Sequence, residues 1–365
     1  MKKIHYCWAI PLAGAMLSGY KASGEHDKYI YKEQDSSTTN RLTFSLRFGL
    51  NVRAKFKGIG GGLLSTLAPG ARVTVDGDQY NYSDGYVGNG STLRADSTGN
   101  FLGYTSYWGY DSASQYNLAN NTFTFHNTST ANVPSELSQS GNGSPGMELT
   151  YDWQLGEKED WHHLRYGLEF AVNYMQFSFD QNNSYGIYST TDVYQFGGIP
   201  GQIPSIGYPG RWAGNPGDPV LVVPGNAGTP LLTHNFLVQQ DFDVNLWGFR
   251  LGPYIEYPFN DKWSLHLSGG LAVGLLDANA NWKEQLTRLA DSSTVSASGG
   301  GTDLDVLWGF YVGLDATYQF SKHWGVDVGI QYQDLGTYSH NFGGRVAELD
   351  LSKSLFFQVG LSYSF

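Results

Sequence analysis

Residues 347–365 read AELDLSKSLFFQVGLSYSF. From Leu349 the odd positions run Leu349, Leu351, Lys353, Leu355, Phe357, Val359, Leu361, Tyr363 and Phe365, and eight of these nine are apolar or aromatic. The even positions between them are polar or small, with Phe356 as the exception. Successive residues of a strand point to opposite sides, so the stretch predicts one amphipathic strand.

The same alternation recurs upstream. Leu42, Phe44, Leu46, Phe48, Leu50, Val52, Ala54 and Phe56 alternate with polar or small partners and predict a strand of fifteen residues. At about 3.3 Å per residue this exceeds the ~9–11 residues that cross a bilayer at a tilt. Met147 to Leu155 and Leu164 to Tyr174 give a second and a third strand across a short charged turn at Gly156–Asp160. A fourth strand starts with Phe236, Val238, Phe242, Val244 and Leu246 on one face, then carries its apolar set on Trp247, Phe249, Leu251 and Ile255. That one-residue slip predicts a β-bulge near Leu246–Trp247. Trp263–Leu275, Leu304–Phe320, Trp324–Tyr332 and the final stretch complete eight strands.

Between them, residues 57–143 are rich in Gly, Ser, Thr, Asn and Tyr, and 180–235 carry seven prolines from Pro200 to Pro230. Both read as long loops, and 284–302 as a shorter one. Long and short connections alternate, as in an antiparallel up-and-down barrel with short inner turns and long outer loops. Each strand after a short turn begins with tryptophan, Trp161, Trp263 and Trp324. These would form an interfacial aromatic girdle.

The totals agree with an exported all-β membrane protein. Among 365 residues, 15% are aromatic and 47 are Gly, and no run of 18 apolar residues provides a membrane-crossing helix. Lys2 and Lys3 followed by the apolar Trp8–Leu17 predict a signal peptide over 1–24, cut before Glu25, with 25–40 as a polar periplasmic leader and 41–365 as the barrel. The single cysteine, Cys7, lies in the signal segment. Losing Lys2, Lys3 and Lys21 with that segment moves the net charge from −11 to −14. An acidic chain without basic patches argues against nucleic acid as a partner.

The last strand, ending Leu361, Tyr363, Phe365, resembles the assembly signal of Gram-negative outer-membrane β-barrels. The overall strand pattern resembles the small barrels of the OmpA, OmpX and OmpW type; the resemblance covers the strands and the last residue, not the loops. It implies an outer-membrane location, contact with outer-membrane lipids, and insertion by the barrel assembly machinery. The competing reading is a soluble lipocalin-like barrel, which alternates with its apolar face inward.

With the apolar set toward lipid, the lumen receives Arg47, Arg53, Arg165, Glu169, Arg250, Glu256, Asp315 and Asp327. Counted from the turns, Arg47, Glu169, Arg250 and Asp315 fall at one height and predict a neutralising mid-barrel layer that plugs the lumen. No catalytic constellation emerges. Ser339-His340-Asn341 and His162-His163 place neighbours on opposite faces of a strand, where they cannot share a proton. Asp76-Gly77-Asp78 through Asp84-Gly85 fails as a calcium loop, because Tyr80 and Val87 replace required ligands. There is no CxxC, HExxH, Walker or dinucleotide motif. The expectation is a non-enzymatic barrel without metal or cofactor, in a structural, adhesive or surface-binding role. Its Tyr-, Asn- and Ser-rich loops suit carbohydrate or protein contact. A passive porin is the alternative if 57–143 adds strands, and a lipid hydrolase is a more distant one.

Overall fold

A computed structural model describes residues 40–67, 77–90, 107–141, 143–158, 163–196, 221–222 and 229–365. The signal and leader segments, Trp161, His162 and Asp76 lie outside the described residues.

Eight strands close a barrel: β1 (Arg41–Leu50), β2 (Ser144–Lys158), β3 (Leu164–Phe196), β4 (Leu231–Pro258), β5 (Trp263–Arg288), β6 (Thr294–Gln319), β7 (Trp324–Asp334) and β8 (Ser354–Ser364). Each pairs antiparallel with its sequence neighbour, and β8 closes on β1 from Arg41↔Ser364 to Leu50↔Leu355. The ring is complete without any strand from 57–143. Both ends of the barrel sequence lie at the short-turn end, where Asn40 and Phe365 exchange backbone hydrogen bonds at 3.0 Å.

Over the lower part of every strand the outward set is apolar. Phe44 and Leu46 on β1, Phe170 on β3, Leu271 on β5, Val328 on β7 and Val359 on β8 are all well exposed. The band on β4 runs from Tyr257 up to Trp247, and its strand segment of roughly 36 Å rises about 28 Å at a tilt near 40°. That is the thickness of a bilayer's hydrocarbon core. A soluble barrel buries such side chains; this one turns them outward. Gly329, the neighbour of Val328, faces inward, and a Cβ there would sit 1.7 Å from Asp315 Oδ1.

Above this band the two halves of the wall diverge. β3 to β6 run on as 33, 28, 26 and 26 residues, far longer than a bilayer requires. Regular structure therefore extends well into the segments expected as loops at 180–235 and 284–302. β7, β8, β1 and β2 instead break at one level. Asn51 (φ 58°), Gly143 (φ 82°) and Gly336 (φ 74°) adopt left-handed conformations there. Beyond the break these four strands continue as Thr337–Phe342, Arg345–Asp350, Arg53–Lys57 and Glu136–Ser140. These pieces form a separate four-stranded sheet in the same neighbour order.

The half-wall is thus creased, and its upper part packs on the inner face of the straight half. Val52, Phe56, Tyr338, Phe342, Leu349 and Leu351 share one buried core with Phe177, Phe242, Val244 and Leu276. Phe56 meets Phe242 edge-on at a centroid distance of 5.9 Å.

Four sequence expectations change accordingly. The strand expected over Leu42–Phe56 ends at Leu50, and the last strand is divided at Leu351–Lys353. No register shift occurs at Leu246–Trp247; β4 pairs continuously with β3 and β5 there. The apolar set changes sides because the surroundings change: lipid lies outside below, and a packed interior lies inside above. Arg53 leaves the lumen, because it falls above the crease on the exposed face of the four-stranded sheet.

Within 57–143, Gly77–Tyr82, Gly85–Gly90 and Tyr107–Tyr110 form a third sheet. Thr122–Ser129 pairs with the top of β3. Tyr82, Trp108, Tyr110, Phe123, Phe125 and Phe196 are buried together here. The described aromatics of this segment are therefore mostly core rather than a ligand-facing surface.

Candidate functional site: a charged layer beneath an apolar core

The inward residues of the lower strands form one connected polar network. Arg47 on β1 pairs with Glu148 on β2 and donates to Gln333 Oε1 at 2.8 Å. Arg250 on β4 reaches the other oxygen of Glu148 at 2.6 Å and Glu169 Oε1 at 3.2 Å. Glu169 accepts from His266 Nε2 at 3.2 Å. His266 Nδ1 lies 2.9 Å from Arg41 Nη2, which itself holds Asp152 at 2.8 Å. Arg41 also meets Glu256 at 3.2 Å, and Glu256 lies 3.7 Å from Arg165 at the lower rim. The guanidinium carbons of Arg47 and Arg250 sit 3.8 and 4.5 Å from the ring centres of Phe356 and Tyr311.

Alternation explains the arrangement. Each of these residues belongs to the inward set of its strand, and an eight-stranded barrel is narrow enough for side chains to meet across it. A guanidinium is the side chain best shaped to bridge two carboxylates at once. Arg47 and Arg250 grip Glu148 from two directions, so neither buried charge is left unmatched.

Of the four residues expected to form the layer, Arg47, Glu169 and Arg250 lie in this network. Asp315 stands beside it, hydrogen-bonded to Gln358. The residue that joins the two arginines, Glu148, was legible as part of the polar set of its strand; reading height from the turns alone passed over it. His266, Arg41 and Asp152 were missed in the same way. Asp327 accepts from Thr317, which in turn lies 3.4 Å from Arg41.

Asp152, Glu169 and His266 bring ligand-type atoms within 4.8 Å of one another. A metal does not fit them. A guanidinium can only donate, so Arg41 makes His266 Nδ1 the acceptor and leaves the ring proton on Nε2, facing Glu169. Both ring nitrogens are committed, and Arg41 already supplies the positive charge.

Above the layer lies the buried apolar core that joins Phe56, Phe242 and Leu276. Glu284 on β5, fully buried, fastens it. It accepts from Arg345 Nε and Nη2 at 2.8 and 2.7 Å and from the backbone N–H of Gly60 at 3.1 Å. Trp282 Nε1 donates to the carbonyl of Phe342 at 2.7 Å, and Arg345 covers its ring at 4.5 Å.

Trp263 and Trp324 are outward at the short-turn end, 4.9 and 5.0 Å from Tyr318 and Tyr363. Tyr363, Leu361 and Phe365 lie at the same end with exposed side chains. His340 sits 3.1 Å from Asp303, whereas Ser339 points to the opposite, exposed face. His163 pairs with Glu157 at 2.7 Å. Asp84 is tied to His126 by two bonds, to its backbone N–H at 2.8 Å and its Nδ1 at 2.7 Å. The Asp84 hydrogen bond holds the His126 imidazole above its ordinary pKa.

No family model matches the chain. No curated protein matches it either. Solved structures similar to it include the attachment invasion locus protein Ail of Yersinia pestis, in complex with the heparin analogue sucrose octasulfate. That match has 8% identity, covers 89% of this chain and 99% of that one, and has a TM-score of 0.23. Another is the outer membrane protein OprG from Pseudomonas aeruginosa, at 12% identity over 88% and 95% of the two chains, TM-score 0.25. The P. putida toluene transporter TodX matches at 9% identity over 90% and 91%, TM-score 0.20. These superpositions are loose, and the fold rests on the chain's own register. Closure of eight antiparallel strands and an outward apolar band make the architecture that of an outer-membrane-type β-barrel.

Proposed function

We propose that this chain is a non-conducting barrel of a Gram-negative outer membrane. It is exported with loss of its signal peptide and inserted by the barrel assembly machinery. There it anchors a rigid extracellular β-structure for surface contact. The observation that carries the reading is the filling of the lumen at two levels, a salt-bridged layer with an apolar core stacked above it. A porin keeps a continuous polar, water-filled path, and the packed Phe and Leu side chains favour the closed reading over it. The proposal includes no enzymatic activity: His340 has Asp303 as a partner but Ser339 lies on the other face.

The test is current through planar bilayers containing the purified, refolded protein. A silent bilayer is expected at protein levels where a general porin opens steadily. Large, regular current steps from the wild-type protein would overturn the reading and restore the porin.

A further inference from the structure

The straight half-wall has an outer face that no role so far uses. It begins where the lipid band stops, above Tyr174 and Trp247, on the same strands and the same outward parity. One row runs Ser178, Asp243, Asn279 and Thr302 across β3, β4, β5 and β6. The row above begins Asp180, Asp241 and Asn281, and the next Asn182, Gln239 and Lys283. Amide, hydroxyl and carboxylate groups thus repeat along strands about 4.8 Å apart. Leu304 in the row just below and Leu237 in the row just above are the apolar side chains that flank them.

Several of the groups are held in place by cross-strand bonds. Tyr174 Oη donates to Asn245 at 2.7 Å, Ser178 Oγ to Asp243 at 2.6 Å and Ser184 Oγ to Asn235 at 2.8 Å. Within β5, Asn281 donates to Asn279 at 3.3 Å. A recess of about 420 Å³ opens on the face between Asp180, Asn182, Gln239, Asp241, Asn281 and Lys283. Preorganised polar groups bind with less loss of rotamer freedom than free ones.

We infer that this face contacts the core sugars of the glycolipid that surrounds the barrel in the outer leaflet. The inference rests on the membrane placement proposed above. Continuity with the lipid band selects the occupant: whatever stands directly above the acyl chains meets these rows first. Sugar hydroxyls both donate and accept, and Asn, Gln and Ser side chains answer both roles. Phosphate groups are a poor match, since Asp180, Asp241, Asp243 and Asp277 face outward here with Lys283 as the one cation among these rows. A protein partner is also a poor match, because the centre of a protein interface is enriched in apolar and aromatic side chains.

The test uses the full-length protein in detergent and two lipopolysaccharides with the same lipid A. One carries a complete core oligosaccharide and the other ends at lipid A, with no core sugars. Binding is measured for wild type and for the variant Gln239→Ala, Asn279→Ala, Asn281→Ala, with thermal unfolding as a fold control. Wild type should bind the complete-core form at least tenfold more tightly, with or without EDTA, and the variant should lose that preference while unfolding normally. Equal affinity of wild type for both forms would overturn the inference. A preference abolished by EDTA would also overturn it, since divalent cations on the carboxylates would then account for binding. If the triple variant unfolds early, Gln239→Glu and Asn281→Asp, which keep the size of each side chain, carry the same comparison. Failure of the membrane placement is separately visible as a protein that remains monomeric without detergent.

Discussion

The two halves of the barrel wall solve one problem in opposite ways. Below a common level the outside is hydrocarbon; above it the outside is water and the inside is packed. On β3, β4 and β5 the backbone runs straight, and the apolar set moves to the other parity: Trp247 is the last outward residue of the lipid band on β4, and Leu246, Val244 and Phe242 point in. On β1 and β8 the apolar parity is kept, and the backbone turns instead: Leu50 faces out, Asn51 bends the chain, and Val52 faces in. An apolar pattern therefore records which side is dry, not which way the strand is bent. A slip in the pattern marks a straight strand here, and an unbroken pattern marks a kinked one.

The largest expected effect tests what lies beneath both halves. Glu148 is the shared partner of two buried arginines from two different strands. Glu148→Ala should cost about 3–5 kcal/mol in denaturant unfolding, because it leaves buried charge uncompensated. Unfolding no easier than that of an outer-face substitution would mean water reaches the layer freely. Among the lumen groups, six carboxylates (Glu148, Asp152, Glu169, Glu256, Asp315, Asp327) face four guanidiniums (Arg41, Arg47, Arg165, Arg250). Any conducting variant obtained by also breaking the Arg345–Glu284 latch should therefore select cations, read as a reversal-potential shift in a salt gradient.

The second prediction compares two outward positions of the same strand. Leu271 lies in the lipid band of β5 and Asn281 lies ten residues further on, at the same parity. Leu271→Arg should cost about 2–4 kcal/mol, as arginine does at mid-bilayer on a lipid face. Asn281→Arg should stay within about 0.5 kcal/mol, as for an ordinary exposed site. Unfolding from lipid vesicles measures both. Equal costs would put the boundary between lipid and water somewhere other than Trp247.

The sequence made the lower barrel legible and the upper half illegible, for a physical reason. Below the crease one face meets lipid, so nearly every outward position is apolar, and strand number, facing and the inward Arg47, Glu169 and Arg250 follow from alternation. Above it the straight wall has water outside, and Asn279, Asn281 and Ser298 resemble loop composition although they sit in strands. Glycine deepened the disguise: Gly299 lies against the Trp282 ring, where a Cβ would approach within 2.8 Å, so its lack of a side chain is a packing requirement. The prolines of 180–235 point to a loop through the whole interval, yet pairing of β3 with β4 persists, with one register shift at Ile187/Tyr188, to Ser189↔Leu231. The crease itself rests on single residues such as Asn51, which no periodicity reports.

That crease gives the third prediction. Asn51 at φ 58° sits in the region that asparagine and glycine tolerate and β-branched residues do not. Asn51→Val should cost about 1–2 kcal/mol, whereas Asn51→Gly should unfold close to wild type. If valine is tolerated as well as glycine, the bend is set by the loops above and not at this residue.

The smallest effect lies furthest from the membrane, in the module packed at the top of the straight half. There the Gly77–Tyr82 and Gly85–Gly90 hairpin is fastened to Thr122–Ser129 through Asp84 and His126, and through Ser83 N–H to the His126 carbonyl at 2.8 Å. Asp84 raises the folded pKa of His126 above its unfolded value. A group raised on folding contributes stability that is complete below its unfolded pKa, about 6.5, and disappears as pH climbs through the folded value. Amide exchange of residues 77–90, corrected for the intrinsic pH dependence, should therefore be slowest at mildly acidic pH and quicken above neutrality. The His126 side chain is 42% exposed, so screening keeps the change small and local. Barrel amides such as those of β5 should show no corresponding change. In His126→Gln the pH dependence of the hairpin should vanish while its protection at alkaline pH stays near wild type. A hairpin that instead loosens on acidification would show that Asp84 protonation, not the charge on His126, governs the joint.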